Sequence, residues 1–525
     1  MLFITGCLIK DAGGPYFLNY YDPSYVYLIN SLNLIQFNSV GHFDHPGTTV
    51  QVLGAIILKL KFITAGSADE IIKEVFADPE KYLQFINRSF ILLNSLTLLL
   101  LGIFIYKITN DIFLSLLLQL SPFVSFQILY GLVLVAPDNI IIFPSLLLIG
   151  IIFYFIFKSD PDNPSLLFIL FCGIVCGFGT VTKLTFIPMW IIPFILIKSF
   201  KNKSVFLLSG VLTFLILFLP AISKYQKFIG WIYNLISDTK IHGTMESQPF
   251  NFSLYISNIR TVFDQDKIML IIYLIMFISI LAGIFFRKKE TDNEQFNKSL
   301  KVLIAIFTGI TAQILMIAKN YVPWTQYYLI PSFILLISGL CISGSIIFIT
   351  FKNYFRHVTL KHLYIFTSII IFVFAVQLII NTYREAAAFR DEAYIVRNII
   401  KYDYQNELVI PSLMTANDDC ALAYMVFNDF GGSNNKKYTD LLADQLKTEI
   451  YFLAQRDSFF TVPGNVNIEK TIRDNRKFIV QFHSITAPLD DFISFLKKRY
   501  NIDCISNKEI ITNKNGESIY EIEIK

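Results

Sequence analysis

Apolar runs of roughly 17 to 25 residues, long enough to cross a hydrocarbon core as helices, recur along this chain. They lie near 88–106, 110–129, 138–157, 165–182, 184–199, 204–223, 268–286, 300–318, 327–350 and 362–381. The polar connections between them alternate in charge. Lys107, Lys158, Lys198/Lys201/Lys203, Arg287-Lys288-Lys289 and Lys352/Arg356/Lys361 fall on one side, whereas 129–137 on the other side has no Lys or Arg. An excess of basic residues marks the cytoplasmic side. The segments 11–87, 129–137, 224–267, 319–326 and everything after 382 are therefore expected to face outward. Met1 to Ile9 is apolar but too short to span and reads as a truncated first helix. The pattern predicts a mostly α, polytopic transmembrane helical bundle of about 10–11 spans.

The polar stretches divide the chain further. Residues 11–87 read as one long outer loop, with a helix at 48–62 in or dipping into the membrane interface. A second, amphipathic helix is expected over 68–87, where Glu70, Lys73, Glu74, Glu80 and Lys81 interleave with Ile71, Ile72, Val75, Phe76 and Leu83. After Tyr383 charged residues replace the apolar runs. Short β-rich segments at 408–410, 449–453 and 477–482 then alternate with helical stretches at 386–402, 418–429 and 488–499. The expected organisation is a transmembrane domain over 1–384 and a small outward-facing α/β domain over 385–525. The latter is large enough to bury its own core.

Composition agrees with this reading. Of 525 residues 54% are hydrophobic and 16% charged, against about 25% charged in soluble domains. The net charge of +4 is small, and the basic residues form no stripe that could follow a phosphate backbone, which argues against a nucleic-acid partner. Cys172 and Cys176, four residues apart in an apolar run, read as packing residues. Cys420 and Cys504 share the outward tail, where a disulfide is open to them, and read as free thiols.

The candidate chemistry lies on the outward side. Asp22, in Tyr20-Tyr21-Asp22-Pro23-Ser24-Tyr25, is either an incidental carboxylate in an aromatic interfacial belt or a partly desolvated general base. Asp44 stands between His42 and His45, before Pro46-Gly47, as either a helix cap or part of a polar site. A divalent metal is conceivable at this acid and histidine cluster, though the spacing is not that of a zinc helix. Asp138, in Val135-Ala136-Pro137-Asp138-Asn139, suits the first turn of a helix or a cavity. Arg88, Lys183 and Lys319 could each snorkel to headgroups or together neutralise a phosphate. The tail shows no Gly-rich phosphate loop and no spaced Cys/His set, and His483 stands alone.

In order, Asp22-Pro-Ser-Tyr, Phe43-Asp44-His45-Pro46, Arg88, Pro137-Asp138, Thr182-Lys183-Leu184-Thr185 and Gln326-Tyr327-Tyr328-Leu329-Ile330-Pro331 resemble the C-type (GT-C) glycosyltransferase superfamily. Its members include protein O-mannosyltransferases and the bacterial aminoarabinose transferase that modifies lipid A. Gly230-Trp231 to His242-Gly243 is similar to the acceptor-side loop of bacterial relatives. The resemblance covers about 20–350 and rests on order and sidedness more than on any one motif. It implies Asp22 as catalytic base, Asp44 as a second catalytic carboxylate, and His45, Arg88, Asp138, Lys183, His242, Lys319 and Tyr327 as substrate-binding residues. The chain departs from the family where Gln326-Tyr327 stands for an Arg-Tyr pair and His45-Pro46-Gly47 for a proline-rich sequence.

The implied reaction is an inverting transfer of a sugar from a polyprenyl-phosphate donor to an acceptor hydroxyl on a glycan, lipid or protein, at the outer face of a bacterial inner (plasma) membrane. Membrane lipids are implied partners, and no cofactor is required beyond the divalent metal left open above. A transporter or flippase of lipid-linked sugars is the alternative. Against it, the acids cluster at outer helix ends and no internal repeat is evident. A third reading makes the membrane part an anchor for a binding tail.

Overall fold

A computed structural model describes the backbone of residues 1–19, 21–63, 67–160, 164–237, 251–286, 293–319, 321, 323–351, 359–411, 417–427, 430–445, 449–453, 458–462, 467–483 and 489–525. Within these, the side chains of 19, 21, 22, 323, 324, 427, 445, 449, 453, 460, 462 and 483 lie outside the description. The fold is mostly helical, with a small strand-containing region at the C-terminus. Among the described residues, 7 helices are long and apolar enough to cross a membrane: Pro79–Thr109, Pro137–Phe157, Phe200–Ser237, Lys267–Phe286, Glu294–Ala318, Thr325–Thr350 and Leu360–Asp403. They make this a candidate multi-pass membrane protein.

Where this differs from the expected pattern, prolines and short lengths explain it. The run at 110–129 is not one continuous helix. It forms helices Ile112–Gln119 and Phe126–Leu132 around a 3-10 turn at Ser121–Phe123, because Pro122 has no N–H for the ladder and its ring clashes with the preceding turn. The runs at 165–182 and 184–199 become the shorter apolar helices Leu166–Thr182 and Leu184–Leu196. The amphipathic helix expected over 68–87 is split at Pro79. Helix Ala68–Ala77 opens with a Ser67/Glu70 capping box, and a new helix runs from Pro79 to Thr109. Residues 2–13 form one helix, and helix Thr48–Lys61 forms close to where it was expected.

Contacts group the chain into two units. The first comprises 1–7, 43–50 and 87–382. Its helices Leu166–Thr182 and Phe200–Phe218 approach so closely that a Cβ at Gly173 would stand 2.5 Å from the Phe206 carbonyl, and one at Gly177 2.3 Å from the Gly210 carbonyl. Without a hydrophobic drive between helices in lipid, such small-residue faces let packing and backbone contacts hold the pair. At other helix ends lysines cap the freed carbonyls: Lys298 Nζ donates to Ser159 O at 2.9 Å and Lys301 Nζ to Leu196 O at 2.8 Å.

The second unit comprises 8–42, 51–86 and 383–525. Residues 383–525 thus group with 8–42 and 51–86, most of the segment 11–87. Strands β1 (Val409–Pro411), β2 (Glu449–Leu453), β3 (Ser458–Val462), β4 (Lys477–His483), β5 (Cys504–Thr512) and β6 (Glu517–Ile524) make a four-stranded sheet in the order β1-β4-β6-β5 and a β2-β3 hairpin. β1 runs parallel to β4, and the other pairs are antiparallel. Phe478, Val480 and Phe482 on alternate positions of β4 pack with Phe492 and Leu496 of helix Leu489–Tyr500. Arg397 pairs with the buried Glu517 at 2.9 Å. The six cysteines, all among the described residues, form no disulfide.

The close helix pair gives a direct expectation. Gly177→Leu should lower the melting temperature of detergent-solubilised protein by at least 5 °C, because backbone rather than a flexible side chain blocks the new Cβ. Gly230→Leu, where a Cβ would meet nothing within 4 Å, should leave the melt unchanged.

Candidate functional site

The polar cluster in the first unit forms where helices stop. Beyond helix Phe126–Leu132 the chain is non-helical to Ala136, and Pro137 restarts it. A missing N–H costs nothing at that position. The carbonyls freed at the break are caught by amides. Asn87 Nδ2 donates to Leu132 O (2.9 Å) and Leu134 O (3.1 Å), and Asn139 Nδ2 donates to the same two at 2.6 and 3.1 Å. Asn94 Nδ2 holds Asn139 in turn at 2.8 Å. This fixes Asp138 in the first turn of the new helix, buried.

Lys183 ends helix Leu166–Thr182 in an extended conformation, before the 3-10 helix Leu184–Trp190. Its Nζ lies 2.6 Å from Asp138 Oδ1, with the two side chains 3% and 7% exposed. Asp138 is therefore paired, with a cation 45 residues away that its own segment does not supply. The ammonium also stands 4.4 Å from the ring centre of Tyr327 and 4.3 Å from that of Tyr328. Two rings and one carboxylate thus replace its water.

Gln313, inside helix Glu294–Ala318, holds the two turns together. Its Nε2 donates to Thr185 O (2.6 Å) and Tyr328 O (3.1 Å), while its Oε1 accepts from Ser332 N (3.2 Å) and the Ser332 hydroxyl. The turn that carries Lys183 and the turn that carries the tyrosines are set by one amide. The neighbouring Gln326 is buried. Its Oε1 accepts from Gln127 at 3.3 Å, and its Nε2 has no hydrogen-bond partner among the described residues.

His45 joins the cluster through Tyr328, whose hydroxyl is 3.3 Å from His45 Nε2, and its ring meets the edge of Trp231 at 5.1 Å. His45 has φ 65° although Pro46 follows it, and Gly47 has φ 65° as well. A residue before proline favours extended backbone, so the left-handed His45 is strained by ~1–3 kcal/mol. Neighbouring bonds hold the turn: Thr48 Oγ1 donates to Leu217 O and Thr49 Oγ1 meets Thr182 Oγ1, both at 2.8 Å. Asp44 is half-buried, with its charge within reach of the Tyr328 hydroxyl. The helix starts at Thr48, so Asp44 stands too far upstream to be its cap.

Of the residues marked in the sequence, Asp138, Lys183, Tyr327 and His45 come together, with Asp44 beside them. Arg88 is exposed on helix Pro79–Thr109. Lys319 donates to Leu235 O at 3.0 Å and to Ile236 O, and so holds the end of helix Tyr225–Ser237. His242 lies outside the described residues. Asp22 belongs to the second unit, in helix Tyr21–Ile35, and its side chain also lies outside the description. One turn on, Tyr25 is buried and donates to Glu80 at 2.7 Å; Glu80 also accepts from Tyr16 N and Phe17 N. Burial, then the Glu80 charge, push the Tyr25 hydroxyl well above the usual tyrosine range, so it remains a donor.

The sequence reading passed over Gln313, although a lone amide in an apolar helix marks a bond across helices. No group of three His, Cys, Asp or Glu among the described residues could hold a metal ion. No protein-family model, curated protein or solved structure matches this chain.

The buried pair can be tested directly. Lys183→Met leaves the Asp138 carboxylate without its partner and should destabilise the protein by about 3–5 kcal/mol. Adding Asp138→Leu should recover most of that loss, because no charge then remains buried. Thermal melts of the two variants in detergent measure the difference.

Proposed function

We propose that this chain is a polytopic membrane glycosyltransferase of the C type, which moves a sugar from a polyprenyl-phosphate donor to an acceptor hydroxyl at the outer membrane face. The observation that carries the reading is the meeting of Asp138, Lys183, Tyr327, Tyr328 and His45, with Asp44 beside them, at helix ends. Ionisable groups in apolar surroundings are costly and are kept for substrate or ion handling. The buried Gln326 amide nitrogen is a spare donor for a ligand oxygen.

The seven long helices, the pair Leu166–Thr182 and Leu184–Leu196, and the broken segment 112–132 make about ten crossings. With the basic connections taken as inside, as in a bacterial inner membrane, this count supports reading the ends that carry Asp138, Lys183 and Tyr327 as periplasmic.

In this proposal Asp22 takes the proton from the acceptor hydroxyl. The oxygen attacks the anomeric carbon from the face opposite the phosphate, the carbon–oxygen bond to the phosphate breaks, and polyprenyl phosphate leaves with the electron pair. Because that leaving group is already stable as an anion, no strong general acid is needed. Asp44 orients the acceptor. Lys183, neutralised by Asp138 at rest, and Arg88 offer positive charge to the leaving phosphate.

The purified protein in nanodiscs should release radiolabelled sugar from at least one polyprenyl-phosphate donor. Asp22→Asn should cut turnover on the order of 10²-fold or more, with membrane content unchanged. An unaffected Asp22→Asn rate removes the base from its role, and inertness toward every such donor removes the reading.

A further inference from the structure

Helix Thr48–Lys61 carries Ile56 and Leu60 four residues apart, with Ile63 in the turn that follows. All three belong to the second unit and are exposed by 49%, 63% and 78%. Successive helix positions step by about 100°, so Lys59 and Lys61 flank Leu60 on opposite sides. Each ammonium covers an exposed ring from another segment: Lys59 Nζ lies 4.4 Å from the centre of Phe37, and Lys61 Nζ 5.0 Å from that of Phe85. Phe37 is 88% exposed and held at φ 59°.

An apolar patch of this kind, rimmed by polar groups, marks a contact surface. An apolar stripe between lysines that lean outward is the pattern of a helix lying at a bilayer surface. Among the described ion pairs neither lysine has an acidic partner, so both charges are left for anions outside the chain.

We infer that Phe37, Ile56, Leu60 and Ile63 sit at the acyl boundary of the bilayer while Lys59 and Lys61 bind the phosphates of anionic phospholipid headgroups. This surface does not depend on the glycosyltransferase reading. The test uses full-length protein with the photoreactive residue p-benzoylphenylalanine in place of Leu60 or, separately, Ile63. The protein is placed in nanodiscs of phosphatidylglycerol or of phosphatidylcholine, and adducts are read by mass spectrometry. Lipid adducts should form at both positions, at least threefold more with phosphatidylglycerol, and Lys59→Gln with Lys61→Gln should erase that preference. Equal labelling by both lipids overturns the headgroup site. Cross-linking to a second copy of the chain, or no adduct at either position, overturns the membrane surface as well.

Discussion

A backbone in hydrocarbon has no water to bond, so every helix that stops there must find partners for the carbonyls it frees. This constraint organises the membrane part of the chain. The break before Pro137 is closed by Asn87 and Asn139, with Asn94 behind them. The breaks at Lys183 and ahead of Ile330 are closed by one side chain, Gln313. Each amide donates where a helical N–H would have donated. The break can then persist, and the residues beside it, Asp138, Lys183, Tyr327 and Tyr328, are held in fixed positions. The polar site and the helix interruptions are thus one feature. Regular helices through these points would need no amides and would leave no opening for charged side chains.

The same economy governs charge. A buried lysine without a partner would shed its proton or draw in water. Here Asp138 neutralises it, and the faces of two tyrosines cover the side the carboxylate leaves open. The pair carries no net charge at rest, which makes it a poor long-range attractor of anions and a good local one. The strain at His45 adds to this picture. A left-handed residue ahead of a proline persists because Thr48 and Thr49 tie the turn to Leu217 and Thr182, and Thr182 is the residue next to Lys183.

Hydropathy and charge alternation made most of the long helices legible, because both depend on composition summed over about twenty residues. They misjudged 110–129, where Pro122 interrupts an apolar run without making it less apolar. They likewise missed the division of 68–87 at Pro79. In the tail, periodicity located β1, β2 and β4 and the helical stretches at 386–402, 418–429 and 488–499, the first as the end of the helix Leu360–Asp403, but not β3 or the β5–β6 hairpin, where the pattern of Cys504–Thr512 is mostly exposed and alternates weakly. For the site, residue types pointed to Asp138, Lys183 and Tyr327 one at a time. That Lys183 completes Asp138, and that Gln313 joins their turns, depends on contacts between segments tens to more than a hundred residues apart. Local pattern carries no record of them.

The grouping of residues 8–42 and 51–86 with the tail was the part least visible in the sequence. Read along the sequence, 11–87 belongs to the membrane domain, yet most of it shares a unit with the tail. The reason lies in polar groups that only the tail can satisfy. Asn33 accepts from the Tyr438 hydroxyl at 2.7 Å and donates to Gly431 O, Gln36 bonds Tyr438 and Lys437, and Asn38 bonds Asn434. Gly41 lies so close to Phe430 that a Cβ would stand 2.5 Å from its carbonyl oxygen. Without the tail the buried Asn33 amide would lose its partners at about 1–3 kcal/mol, and the half-buried Gln36 and Asn38 would lose theirs at a smaller cost. Truncating 385–525 therefore cannot separate an anchor from a binding tail, because it also dismantles the loop that carries Asp22. In the enzyme reading, the tail is part of the scaffold that shapes the first outer loop.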